Sequence, residues 1–262
     1  MSNIKLIKKM IANDELFLGH FFIIGEAKCG TTALFNYLCS HPHIVTPRRK
    51  ELRHFRKIRL HKVYDDVDKI PNADLDRMTD DYLQLLIPNP RQYLNKKFII
   101  GEASGYIKDE WSIKIIKKRF ASSKKILLLR NPVDRLYSWY WHSKKPRKSR
   151  TRRPVKGFEQ ELDKYLKVKA NFYYDNLKTY SKYFSLDDLL IIKSEDFFNN
   201  PRKYASLTFQ HLGLEKFDIG KVKPINVGKY EPMAEETRAK LSEHFREQNE
   251  KLYSLINRDM GW

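Results

Sequence analysis

The sequence predicts an α/β fold in which a P-loop-type parallel β-sheet is flanked by helices on both faces. One observation is the alternation of short apolar runs, typical of buried strands, with longer segments of helical periodicity. Strands separated by helices indicate a parallel sheet with helical connections. The other observation is a glycine loop directly after the first apolar run and before a helix, which is the layout of a phosphate-binding loop.

The first half of the chain contains two predicted strands and three predicted helices. HFFIIG (20–25) is the first strand, and a helix over 31–40 follows the glycine loop until the triplet HPH ends it. A helix over 73–87 stops at two prolines, because proline cannot continue a helix. KKFIIGE (96–102) is the second strand, and apolar residues at helical spacing predict a helix over 109–120.

The second half adds two strands and completes the domain. KKILLLR (124–130) is the third strand, and Pro132 begins a helix at a position where proline is tolerated. Further elements follow in order: helices near Phe158 and Asn171, a fourth strand in DDLLIIKSED, and helices over 201–212 and 234–257. We find no internal repeat and no long linker, so the sequence predicts a single domain over 1–262 with a basic loop at about 144–156.

The positive charge of the chain is large and clustered. Lysine and arginine exceed aspartate and glutamate by 51 − 32 = 19. One cluster is RRKELRHFRKIR (48–59) and the other is KKPRKSRTRRPVK (144–156). We therefore expect an anionic partner, such as an acidic glycan, a nucleotide, nucleic acid or a membrane surface contacted peripherally, with simple solubility as the alternative. The loop at 144–156 attracts an anionic acceptor, is disordered, or adheres to nucleic acid nonspecifically.

The sequence also predicts a cytoplasmic location. No apolar run approaches the roughly 20 residues that a membrane helix needs, and the N-terminus lacks the features of a signal peptide. A mean hydropathy of -0.64 agrees with a water-soluble chain. The two cysteines, Cys29 and Cys39, are too few for a disulfide framework, which fits a reducing compartment.

The glycine loop GEAKCGTT (25–32) differs from the nucleoside-triphosphatase pattern G-x-x-x-x-G-K-[ST]. The two glycines keep their spacing, but the lysine, Lys28, precedes the second glycine instead of following it. The third strand ends in Arg130, where a magnesium-binding aspartate would stand, although Glu102 is a rival candidate for that acid. The alternatives at this point are a different phosphate compound, a kinase or triphosphatase, and a glycine turn without a ligand.

A second motif, LLLRNPVDRLYSWY (127–140), places a guanidinium and a hydroxyl at one end of the sheet. Arg130 ends a strand and Ser138 lies about two helical turns further on. This combination suits a phosphate monoester. The alternative is that Arg130 pairs with Asp134 and that Ser138 only packs. The two motifs together indicate a nucleotide with phosphate groups at two separate places.

Together these motifs resemble those of the sulfotransferases. GEAKCGTTALFNYLCSHP resembles their 5′-phosphosulfate loop and LLLRNPVDRLYSWY their 3′-phosphate motif, which bind the donor 3′-phosphoadenosine 5′-phosphosulfate (PAPS). Further segments are similar to the branch that sulfates carbohydrates, including the heparan sulfate enzymes: KELRHF, GEASGYI, FYYDNLKTYSKYF, LLIIKSEDFFNNP, NVGKYEPM and RDMGW. The resemblance runs from about His20 to Trp262. It implies transfer of a sulfuryl group from PAPS to a hydroxyl or amine of a glycan or glycolipid, with release of 3′-phosphoadenosine 5′-phosphate (PAP).

The resemblance also implies roles for individual residues. Lys28 stabilises the leaving phosphate, and Glu51 takes the proton of the acceptor. The alternative for Glu51 is a surface acid neutralised by Lys50 and Arg53. The other residues with an implied donor-binding role are Cys29, Gly30, Thr31, Thr32, Arg130, Ser138, Gly228 and Lys229. His54 is the rival base; on an extended strand it and Glu51 would point to opposite faces, so only one would face the cleft. No metal is required, because fixed cations take its place.

Some features depart from the heparan-type pattern. EAS stands where that pattern has a lysine in EKS, the C-terminal region has no cysteines, and Asn171 replaces a glycine that precedes a helix.

Two other function classes also stay open. One is a P-loop nucleotide kinase or triphosphatase. The other is a basic nucleic-acid-binding protein, although the basic runs lack regularly spaced aromatic residues, so no specific nucleic acid is expected.

Overall fold

The computed structural model describes residues 2–56, 63–144, 157–166, 172–222 and 230–262. The sheet of these residues has five parallel strands: β1 (Phe17–Gly25), β2 (Ile44–Val45), β3 (Phe98–Ala103), β4 (Lys124–Leu129) and β5 (Leu189–Lys193). Their order in the sheet is β2-β3-β1-β4-β5. The central strand is therefore β1, and the loop that follows it lies between the ends of β3 and β4.

Helices connect the strands in the described residues: α1 (Asn3–Ile11), α2 (Thr31–Leu38), α3 (Asn72–Leu86), α4 (Glu110–Arg119), α5 (Pro132–Lys144), α6 (Leu162–Leu166), α7 (Tyr173–Ser181), α8 (Ser194–Asn199), α9 (Pro201–His211) and α10 (Glu235–Ile256). Short 3₁₀ turns lie at Val67–Lys69, Pro90–Tyr93, Tyr106–Lys108 and Glu159–Glu161. None of the helices in these parts of the chain is long and apolar enough to cross a membrane.

The sheet separates two apolar cores. Along β1, Phe22 and Ile24 face a core that includes side chains of α1, α3, α4, α7 and α10. Phe21 and Ile23 face the opposite core, which includes side chains of α2, α8 and α9. Successive residues of a strand point to opposite faces, so a nearly continuous apolar run fits a strand buried on both sides. The predicted parallel sheet with helices on both faces is confirmed.

The carboxyl ends of β1, β3 and β4 lie at one edge of the sheet. In open parallel sheets, ligands bind outside this edge. The strands end at Gly25, Ala103 and Leu129. The glycine loop, the segment that follows β3 and the start of the RNPVDRLYS motif are therefore neighbours, as the sequence predicts.

Candidate active site

The glycine loop joins β1 to α2 and leaves the N-terminus of α2 open. Lys28 (φ 70°) and Gly30 (φ 90°) adopt left-handed backbone conformations. A Cβ atom on Gly30 would lie 2.7 Å from the ring of Phe198, so a larger residue would require that ring to move. The first turn of α2 begins with Thr31 and Thr32 and carries no acidic side chain. Its amide groups can therefore bind an anion. We call residues 25–32 the phosphate cradle.

The thiol of Cys29 faces away from the mouth of the cradle. Its side chain is fully buried, and Sγ lies 3.8 Å from the hydroxyl of Tyr173. Burial raises the pKa of the Cys29 thiol to about 11, so the group is neutral at physiological pH. A contribution of Cys29 to donor binding would therefore come from its main chain and not from its sulfur.

A buried ion cluster lies beneath the cradle. The Glu26 carboxylate is 2.9 Å from Lys108 Nζ and 3.3 Å from Arg135 Nη1. Arg135 is on α5 and its guanidinium lies over the ring of Tyr173, 5.0 Å from the centroid. Because removal of one partner would leave a buried charge uncompensated, this cluster fixes the cradle against α5. The sequence analysis did not identify these residues as a cluster, because each stands near other charged residues in its own segment and nothing local indicates that the three segments meet.

Lys50 reaches the cradle from a different segment. Its Nζ donates to Thr31 Oγ1 at 3.1 Å and to Thr32 Oγ1 at 2.8 Å. It also lies 3.8 Å from Oε1 of Glu51. The sequence analysis assigned no donor contact to Lys50, because nothing in the sequence indicates that residues 18 or 19 positions apart meet.

The segment that carries Glu51 is held by three side chains, one near the carboxyl end of β3 and two just after it. Three consecutive amides are involved, each at 3.1 Å: Leu52 N–H donates to Glu102 Oε2, Arg53 N–H to Ser104 Oγ, and His54 N–H to the Tyr106 hydroxyl. Ser104 and Tyr106 in turn donate to Glu102 at 2.7 and 2.6 Å. We call Glu102, Ser104 and Tyr106 the amide clamp. It fixes the backbone directly after Glu51.

Glu102, considered above as a magnesium-binding acid, is therefore the centre of the clamp. It is fully buried, and both carboxylate oxygens accept hydrogen bonds from protein groups. Burial raises the pKa of Glu102, and the donated hydrogen bonds act in the opposite direction. Within the described ranges, no group of three or more His, Cys, Asp or Glu residues has the arrangement of a metal site.

The two candidate bases lie in different environments. The Glu51 side chain is 39% exposed and its carboxylate pairs with Arg53 and, more distantly, with Lys50. His54 is only 5% exposed, and its Nε2 lies 3.0 Å from the carbonyl oxygen of Met78. This geometry favours Glu51 as the base, because a group that takes a proton from an acceptor must be reachable by it.

Arg130 follows β4 at the same edge. Its carbonyl accepts a hydrogen bond from the Tyr173 hydroxyl at 2.8 Å, and its guanidinium lies 5.9 Å from the centroid of the Phe198 ring. Asp134 pairs with Arg238 at 2.6 Å, so the alternative pairing of Asp134 with Arg130 is wrong. Among the described residues Arg130 is in no ion pair.

Some of the remaining predicted residues lie outside the described ranges. Ser138 lies on α5 and is half-buried. Gly228, Lys229 and Asn171 lie outside the described residues, as does the basic loop except Lys144. Lys144 is the last residue of α5, and its Nζ is 2.6 Å from Glu161.

Several curated proteins resemble this chain over parts of their length. The membrane-associated sulfotransferase kil1 of Dictyostelium discoideum is 35% identical over 92 residues, which are 35% of this chain and 20% of that protein. The mouse bifunctional heparan sulfate N-deacetylase/N-sulfotransferase 4 is 24% identical over 92% of this chain and 30% of its own. Mouse carbohydrate sulfotransferase 15 is 26% identical over 75% of this chain and 44% of its own. The chain thus spans less than half the length of these relatives.

A solved structure and a family model agree with these relatives. The crystal structure of a sulfotransferase from Alicyclobacillus acidocaldarius is 25% identical, covers 92% of this chain and 97% of its own, and superposes with a TM-score of 0.65. The family model described as "Sulfotransferase domain" matches residues 18–252, which include the phosphate cradle, the amide clamp and Arg130. The chain therefore belongs to the sulfotransferase domain family.

Proposed function

We propose that this chain is a PAPS-dependent sulfotransferase that transfers a sulfuryl group to a carbohydrate-type acceptor, a glycan or a glycolipid. The observation that carries the proposal is the placement of two cationic anion sites after adjacent strands, Lys28 after β1 and Arg130 after β4. Relatives named as heparan sulfate N-sulfotransferases and as a carbohydrate sulfotransferase support the acceptor class. The basic composition of the chain agrees with an anionic donor and an acidic acceptor.

The residues present fit such a donor. The open N-terminus of α2 and Lys28 suit the phosphosulfate end, because amides and cations there complement negative charge. The guanidinium of Arg130 and the hydroxyl of Ser138 suit the 3′-phosphate. Lys28 and Arg130 are both half-buried, so each can be reached from solvent and is partly shielded from it.

The chemistry requires a leaving group to be stabilised and a proton to be removed. When bound, PAPS would supply a sulfuryl group joined to a phosphate leaving group. Lys28 and the α2 amides would hold this phosphate and stabilise the negative charge that remains on it in PAP. Glu51 accepts the proton of the acceptor hydroxyl or amine as the new bond to sulfur forms. The amide clamp holds the backbone of Glu51 during this step.

A labelled-donor assay tests the proposal. The chain is incubated with radiolabelled PAPS and a panel of glycans, glycolipids and small alcohols, with and without a metal chelator. We expect label in a carbohydrate-type acceptor, no effect of the chelator, and an increase of Tm with PAP. Stabilisation by ATP and magnesium without effect of PAP would instead support a kinase or triphosphatase. Steeply salt-dependent binding to DNA or RNA without transfer would support a nucleic-acid-binding protein.

A further inference from the structure

We propose that Lys50 is a further donor ligand, whose ammonium group binds the sulfuryl oxygens of PAPS between the phosphate cradle and Glu51. This inference rests on the proposed function. It adds a cation from outside both the glycine loop and the RNPVDRLYS motif, and it gives that cation one specific part of the donor to recognise.

The contacts of Lys50 leave one N–H group of its ammonium available to a ligand. An ammonium group has three N–H donors. Two of them are directed to the hydroxyls of Thr31 and Thr32, at 3.1 and 2.8 Å. The carboxylate of Glu51, at 3.8 Å, is beyond hydrogen-bond length. Within the described residues, the third N–H therefore has no acceptor at hydrogen-bond distance, and the Lys50 side chain is 20% exposed.

The electrostatic setting of Lys50 is that of an anion site. Thr31 and Thr32 form the first turn of α2, where the helix dipole is positive and repels a cation. Burial lowers the pKa of Lys50, and the positive charges of Arg53 and Lys28 act in the same direction, against the effect of Glu51. These positive groups repel one another. A bound anion would attract each of them and so offset that repulsion. The arrangement is therefore matched to a negatively charged ligand.

The position of Lys50 selects the sulfuryl end of the donor. The acceptor attacks sulfur on the side opposite to the leaving phosphate, and Glu51 must contact that acceptor. The sulfuryl group would consequently lie between the cradle hydroxyls and Glu51, next to the Lys50 ammonium group, which contacts both. Lys50 gives up no proton and forms no covalent bond in this role; it donates hydrogen bonds to sulfuryl oxygens.

Two structural roles for Lys50 make a different prediction. Lys50 could serve only to neutralise Glu51, or only to hold the two threonine hydroxyls. In both cases the affinity for PAPS and the affinity for PAP would change together. PAPS and PAP differ only by the sulfuryl group, so the comparison isolates the contact that we propose.

Calorimetric titration with PAPS and PAP tests the inference. The variants are Lys50→Met, Lys50→Arg and, as a matched control, Lys240→Met, which removes an exposed lysine paired with Glu236 on α10. We expect Lys50→Met to weaken PAPS about 10- to 100-fold, the value of a hydrogen bond to a charged group, with PAP within about threefold of wild type. Lys50→Arg should recover most of the loss, and Lys240→Met should match wild type for both nucleotides.

Two results would overturn the inference while leaving the proposed function intact. One is equal weakening of PAPS and PAP by Lys50→Met, and the other is no change in either. If the methionine variant does not fold, Lys50→Gln serves as a second neutral variant in the same comparison. A wild-type chain that binds neither PAPS nor PAP would instead overturn the proposed function itself.

Discussion

Replacement of Tyr106 by phenylalanine removes a single oxygen atom from the amide clamp. This hydroxyl accepts from the His54 amide at 3.1 Å and donates to Glu102 Oε1 at 2.6 Å. The ring itself packs against Phe22 and Phe55, and phenylalanine preserves that packing. The substitution therefore leaves a buried amide without its acceptor and a buried carboxylate oxygen without its donor.

The size of the effect follows from these two losses. An unsatisfied buried group costs about 1–3 kcal/mol and a charged one more, so we expect the variant to lose about 2–4 kcal/mol of stability. For a chain of this size, that lowers Tm by roughly 5–15 °C. The loss also loosens the segment that carries Glu51, and a displacement of about 1 Å in a catalytic group costs about 10²-fold in rate. We expect kcat to fall about 10- to 100-fold, with the PAP affinity unchanged.

Thermal unfolding, PAP calorimetry and turnover well below Tm measure these quantities separately. Tyr180→Phe is the matched control, because the Tyr180 hydroxyl is buried without a hydrogen-bond partner in the described part of the chain. Its removal should leave Tm unchanged or raise it. The reasoning about the clamp is refuted if Tyr106→Phe melts within about 2 °C of wild type or keeps full kcat.

Four further outcomes are expected. Lys28→Ala should abolish transfer without loss of helical circular dichroism, and a wild-type kcat would contradict its role. Arg130→Ala should weaken PAP about 10- to 150-fold in calorimetry, since a charge-assisted hydrogen bond is worth about 1.5–3 kcal/mol; an unchanged Kd would exclude the 3′-phosphate site. Glu51→Gln should lower kcat about 10²- to 10⁴-fold at constant PAP affinity, whereas His54→Ala should lower kcat less, and the reverse order would exchange their roles. Burial lowers the pKa of His20 from 6.5 to about 4, so the unfolded chain binds more protons and stability falls as pH falls through that window. In denaturant titrations, His20→Phe should reduce this loss by up to about 3 kcal/mol, and the part that remains includes His41, His211 and His244, whose pKa values burial also lowers.

Much of the fold could be predicted because its signals are local. The apolar run of β1 enters both cores, and proline and glycine mark the ends of neighbouring elements. Three elements were missed. The residues SED at the end of the predicted strand DDLLIIKSED instead begin the six-residue helix α8, Ser194–Asn199. The strand β2 has two residues, Ile44 and Val45, which is too short for any periodicity. In α1, Ile7 and Met10 are buried beneath a lysine-rich face, so a helical pattern was present but was not recognised.

The sequence indicates candidate site residues in several segments, but it does not indicate the contacts between those segments. Lys28 and Gly30 belong to one loop, and their spacing identifies it. The contact of Lys50 with two threonine hydroxyls and the capture of the Glu51 segment by Glu102 join distant parts of the chain. Such contacts depend on strand order, and a single sequence does not specify that β1 lies beside both β3 and β4.

The Glu26–Arg135 pair has a consequence for the choice of nucleotide. Glu26 belongs to the phosphate cradle and Arg135 to the helix that also carries Ser138, so this buried contact joins the two segments that we propose to bind phosphate. The pair thereby fixes the distance between the phosphate cradle and α5. Under the proposed function, we expect a nucleotide whose phosphates have the matching separation to bind at both sites, whereas ATP, with all its phosphates on the 5′ side, would bind at one site only. We therefore expect selectivity for the donor to depend on the spacing of the cradle and α5, so that a substitution far from any phosphate changes it.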